Sequence, residues 1–150
     1  MTSISQNKII LFLKRLILIG LLIFICTYLE IYLAVGKFSK NISSACLDCS
    51  FFEDAFLMSL LTTIFLTFLF LALSLIKNIY LKRTIELLSL ILVWLFWNYT
   101  VFVDRESSWS TYTFTEEILY TISFSILPIL VLSIATVFAL NYISKIHEPK

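Results

Sequence analysis

The sequence predicts an all-α integral membrane protein, four transmembrane helices in an up-down-up-down bundle that forms one domain over residues 1–150. Three observations lead there. Near-continuous apolar stretches run over Leu16–Val35, Ala55–Ile76, Thr84–Val103 and Ile118–Tyr142, each close to the roughly 20 residues a helix needs to cross a bilayer core. Hydrophobic residues make up 60% of the chain and charged ones 14%, a balance outside the range of water-soluble domains. The connections are short, and hydrocarbon offers no partner to a free backbone group, so the stretches must be helical.

The first stretch places Gly20, Thr27, Glu30 and Ala34 on one side. It exceeds the roughly 7–15-residue core of a cleavable signal and holds Glu30 close to the small residues before Gly36, so an uncleaved anchor is expected. In the second stretch Ala55, Ser59, Thr63 and Thr67 recur every fourth residue, giving a face on which a neighbouring helix can pack. The third starts beside Lys82 and Arg83, which puts Glu86 in its first turn as a cap at the membrane surface. Trp94 and Trp97 flank its outer half, where an aromatic belt at the membrane interface is expected. The fourth groups Thr121, Ser125, Ser133 and Thr136 near one face around Pro128, whose missing N–H frees the carbonyl of Phe124 and predicts a kink.

The net charge of +1 conceals a strong asymmetry. Lys8, Lys14 and Arg15 precede the first span, Lys77, Lys82 and Arg83 separate the second from the third, and Lys145 and Lys150 follow the fourth. Only Lys37, Lys40 and Arg105 lie on the other side. The positive-inside rule therefore predicts cytoplasmic N and C termini, in a membrane of the bacterial inner type, with Gly36–Asp54 and Asp104–Glu117 as outer loops. Those loops hold the acidic pairs Glu53-Asp54 and Glu116-Glu117 at helix starts, where capping is expected. Asn41-Ile42-Ser43 has the form of a glycosylation sequon. With two glycines, no phosphate-binding loop can be drawn, and nothing supports a nucleic-acid partner.

Glu30 falls about six residues, on the order of 9 Å, inside the outer boundary. An ionised carboxylate at that depth costs several kcal/mol unless paired, hydrated or protonated. Ser59, Asn98 and Thr121 fall at nearly the same depth, which predicts a polar layer of Glu30, Ser59, Asn98 and Thr121. It serves either as a hydrogen-bond network fixing helix register or as a proton, cation or recognition site. In the second outer loop Trp109, Tyr112 and Phe114 combine large contact area with small entropic loss, which makes them candidates for binding a protein partner beside the lipid.

Cys26 sits deep in the first span as apolar packing, whereas Cys46-Leu47-Asp48-Cys49 stands just before the second helix in an oxidising compartment. A bracing disulfide, a catalytic dithiol and a reduced or metal-linked pair all remain open, although no histidine nearby completes a metal site. This motif, at the outer start of the second of four helices, resembles DsbB-type quinone-linked disulfide oxidases. The resemblance implies redox-active Cys46 and Cys49 with quinone as cofactor. The chain departs from that pattern, because Asp104–Glu117 has no cysteine and acids, not a base, follow the motif.

Two functions follow. The first is non-enzymatic and needs no cofactor: an accessory subunit, a regulator or an immunity-type protein shielding its host from a membrane-active toxin, which it resembles in size and composition. The alternative is a DsbB-like membrane thiol-disulfide oxidoreductase.

Overall fold

The computed structural model describes residues 2–146, with side chains from Ile9 to Ser144. Lys8, Lys145 and Lys150, which enter the charge balance, lie outside the described side chains. Four helices account for most of the chain: α1 (Thr2–Val35), α2 (Phe51–Leu73), α3 (Ile79–Arg105) and α4 (Phe114–Ile146). Short 3-10 turns follow α1 at Gly36–Phe38 and α3 at Ser107–Trp109. All four helices are long and apolar enough to cross a membrane, so the chain is a multi-pass membrane protein in contact with the bilayer. α1 packs on α2 and α4, α3 packs on α4, and thinner contacts join α1 and α2 to α3. Consecutive helices run antiparallel, which brings both long loops to one end of the bundle.

The helix boundaries depart from the apolar stretches for local reasons. α2 starts at Phe51, four residues early, because Ser50 and Glu53 form a capping box: the Ser50 hydroxyl accepts from Glu53 N and the Glu53 carboxylate accepts from Ser50 N, both at 3.2 Å. It stops at Leu73, short of Ile76, where Ser74 N turns back onto the carbonyls of Phe70 and Leu71. α3 starts at Ile79 because the Asn78 side chain accepts from the amides of Tyr80 and Leu81. Glu86 is thus in the second turn and does not cap. It lies buried, with Arg83 Nη1 at 2.6 Å, and Arg83 Nη2 reaches Asn141 on α4 at 2.6 Å. α4 runs continuously through Pro128.

Packing is inverted relative to a soluble bundle. Phe68, Leu127 and Phe138 are about 70% exposed, towards lipid, while Thr27, Glu30, Ser59, Asn98, Thr121, Ser125, Ser133 and Thr136 are buried. Two apolar clusters complete the interior. One, built around Ile23, Leu66, Leu90, Trp94 and Ile129, fills the half towards the chain termini. The other, around Ile31, Val35, Phe38, Phe51, Val101 and Phe102, lies under the two loops.

Candidate functional site

The two long loops are fastened to each other residue by residue. Asp104 takes a hydrogen bond on its carboxylate from the Ser44 hydroxyl at 2.8 Å and from Ala45 N at 2.9 Å, and its carbonyl accepts from Ser44 N at 3.0 Å. Asn41 Nδ2 donates to Glu106 Oε2 at 2.8 Å and to the Arg105 carbonyl at 3.1 Å. Trp109 Nε1 donates to the Ile42 carbonyl at 3.0 Å. With its amide engaged in this way, Asn41 is half-buried, so the sequon it heads is tied into the fold.

Arg105 is the centre of this joint. Though assigned to a loop by charge counting, it is the last residue of α3 and only 3% exposed. Its guanidinium donates to the Asn41 carbonyl at 2.7 Å, the Cys49 carbonyl at 3.3 Å and Asp54 Oδ2 at 2.5 Å, and lies 5.6 Å from the centre of the Phe51 ring. The sequence carried a signal for this role. Leu90, Trp94, Asn98 and Val101 mark the buried stripe of α3, and Arg105 continues it at helical spacing.

The acidic pairs each divide their work. Glu53 caps α2, whereas Asp54 turns inward to Arg105. Glu116 accepts from the amide and hydroxyl of Thr113 at 2.8 Å, capping α4, whereas Glu117 accepts from the Tyr99 and Ser107 hydroxyls. Capping was expected of all four, and two of them instead join helices and loops.

Cys46 and Cys49 are joined as a disulfide with 5.4 Å between their Cα atoms, half-buried at the surface of the first loop. Cys26 is free. The sulfur bridge closes the turn whose carbonyl, at Cys49, accepts from Arg105. Trp109 and Phe114 are 59% and 68% exposed, and Ile42 and Leu47 are exposed in the first loop, while Tyr112 packs between Phe102 and Tyr120. Between the loops lies a cleft of about 350 Å³ lined by Lys40, Asn41, Ile42, Arg105, Glu106 and Trp109.

Below the second apolar cluster, Glu30, Ser59, Asn98 and Thr121 are all buried. Asn98 Nδ2 donates to Glu30 Oε1 at 2.8 Å, coupling α3 to α1. Ser59 bonds to the Ala55 carbonyl of its own helix at 2.7 Å, and Thr121 Oγ1 has no partner. Two tryptophans extend the polar contacts: Trp94 Nε1 donates to Thr27 at 3.0 Å and Trp97 Nε1 to Thr62 at 2.7 Å. Those two indoles, assigned by sequence to an interfacial belt, act here as donors between helices.

No protein family, curated protein or solved structure matches this chain. Its chemistry must be read from its own geometry. That geometry offers a fixed, partly apolar surface at one end of the bundle, a surface disulfide within it, and a buried carboxylate-amide pair beneath.

Proposed function

We propose that the protein is a non-enzymatic membrane component that recognises a protein partner through the joined loops, as an accessory subunit, regulator or immunity-type protein of a bacterial-type inner membrane. The observation that supports this reading is the fastening of the two loops through Arg105, Asp104 and Asn41, at the end of the bundle where Ile42, Leu47, Trp109 and Phe114 are exposed. A surface already ordered before it meets its partner loses little conformational freedom on binding, and large aromatic groups supply most of the contact energy. Trp109 and Phe114 are the contact residues in this reading and Tyr112 is their support. Replacing Trp109 and Phe114 together by Ala should abolish the protein's cellular phenotype at unchanged abundance; retention of that phenotype would remove the loop surface as the site of action.

The second reading, a DsbB-like oxidoreductase, draws support from the Cys46–Cys49 disulfide at the surface of the same loop. Thiol-disulfide exchange proceeds by thiolate attack on sulfur, so an enzyme must pass through a mixed disulfide with its substrate. Under the preferred reading thiol trapping yields only the internal disulfide, and the paired serine variant Cys46→Ser/Cys49→Ser keeps its function. Recovery of a discrete partner on Cys46 or Cys49, with quinone in the purified protein, would favour the enzyme.

A further inference from the structure

A groove of about 320 Å³ runs between α3 and α4 at the end of the bundle away from the loops. Its mouth is polar, formed by Arg83 and Thr84 in the opening turns of α3 and by Asn141 near the end of α4. Its depth is apolar. Leu87 lies one turn, roughly 6 Å, further along α3, and Val137, Phe138 and Ile134 lie about one to two turns, up to roughly 10 Å, further along α4 towards the centre of the bundle. Ile134 and Phe138 are 46% and 72% exposed, in the band of side chains that faces lipid. A furrow in that band takes up an acyl chain, because atoms left facing a void lose their dispersion contacts.

Charge selects the lipid. Glu86 takes Arg83 Nη1 at 2.6 Å and Lys82 Nζ at 3.9 Å, so one buried carboxylate meets two cations and leaves one positive charge over. Arg83 gives one N–H to Glu86 and another to Asn141 Oδ1 at 2.6 Å, out of the five a guanidinium carries. The Thr84 hydroxyl is engaged with the Tyr80 carbonyl at 3.0 Å, so Arg83 is the group at the mouth with both charge and donors to spare. Among the described residues Glu86 is the only acid at this end, against Lys14, Arg15, Lys77, Lys82 and Arg83. A phosphodiester meets a guanidinium through charge-assisted N–H bonds. A zwitterionic headgroup brings its own ammonium to the same phosphate and leaves the excess charge in place.

We propose that the α3–α4 groove is a binding site for an anionic phospholipid, with its phosphate on Arg83 and one acyl chain laid along Leu87, Val137, Phe138 and Ile134. Headgroup and chain then meet the groove in the order in which a bilayer presents them, polar at the surface and apolar beneath. Basic pockets between transmembrane helices hold anionic headgroups by the same chemistry. This inference is independent of what the loops bind and of which side of the membrane they face.

The test is native mass spectrometry of the purified full chain in a neutral detergent, titrated with phosphatidylglycerol, phosphatidylcholine or inorganic phosphate. Phosphatidylglycerol should be retained about fivefold more tightly than phosphatidylcholine, the factor expected of one cation meeting an anionic lipid. Inorganic phosphate, which has no chain to lay in the groove, should not displace it. Arg83→Gln should remove the preference, whereas Lys14→Gln, an equal change of charge outside the groove, should leave it intact. Should Arg83→Gln not fold, Ile134→Trp, which fills the groove from a lipid-facing position without changing charge, should lower retention of phosphatidylglycerol by a similar factor. The proposal is overturned if the two lipids bind alike, if phosphate alone displaces phosphatidylglycerol, if Lys14→Gln weakens binding as much as Arg83→Gln, or if retention is unchanged in the groove variants.

Discussion

At the scale of single residues, Arg105 holds more of the loop end together than any other side chain described. Removing it leaves the Asp54 carboxylate and the Asn41 and Cys49 carbonyls without their donor. Breaking a fully buried pair costs about 3–5 kcal/mol. Asp54 is 30% exposed and regains some hydration, so Arg105→Ala should cost about 2–3 kcal/mol, read as a lowered Tm in detergent. Arg105→Lys should recover only part of that loss, because one ammonium cannot reproduce a planar fork that spans three acceptors. Sequence reading missed this residue because a basic side chain just past an apolar run counts first as a topology signal. Its partners lie 51 to 64 residues away, where no local pattern could point to them. Glu30 and Asn98 were easier to find, since an acid or amide inside a hydrophobic span is conspicuous by itself and depth counting sets them in one layer. Which atom bonds to which, and which oxygens are left over, depends on helix rotation and was not legible.

At the scale of helices, hydropathy located all four elements but not their ends, which were fixed by Ser50, Asn78 and the Ser74 turn. Polar caps at the interface do not register in an average over apolar residues. The α1–α2 seam gives a prediction with a definite sign. A Cβ built on Gly20 would meet Thr63 Cγ2 at 3.6 Å and Thr67 Oγ1 at 3.8 Å, which is ordinary van der Waals contact. Gly20→Ala should therefore fit, and the loss of glycine's backbone freedom should stabilise the protein by up to about 1 kcal/mol. Gly20→Leu extends further into the seam beside Thr63 and Thr67 and should be less stable than Gly20→Ala, read as a lower Tm. Equal stability of the two variants would mean that the seam is looser than the distances indicate.

At the scale of the whole molecule, the two ends of the bundle are chemically distinct. One holds the joined loops and the disulfide; the other holds the turn at Ser74–Asn78 and the cluster of Arg83, Glu86 and Asn141. From the charge balance we propose that this second end faces the cytoplasm. Reporters fused after Lys150 and within the Asp104–Glu117 loop should report opposite compartments, with the loop fusion outside. An exported C-terminal reporter would invert the assignment and put the disulfide in a reducing environment. Paired hydropathic spans made the four-helix architecture legible, whereas the bonding between loops was hidden in sequence-distant polar residues.

The fastening of the loops also fixes an order of events during biogenesis. Asn41 and Ser44 belong to the first hairpin, yet their partners Asp104, Arg105 and Glu106 are synthesised some 60 residues later. While only α1 and α2 are in the membrane, the Asn41 and Cys49 carbonyls and the Ser44 hydroxyl of the first loop have water in place of these protein partners. Its final shape is thus a report that translation and insertion of α3 have finished. A partner that recognises the joined surface would ignore nascent and truncated chains and engage only the completed protein.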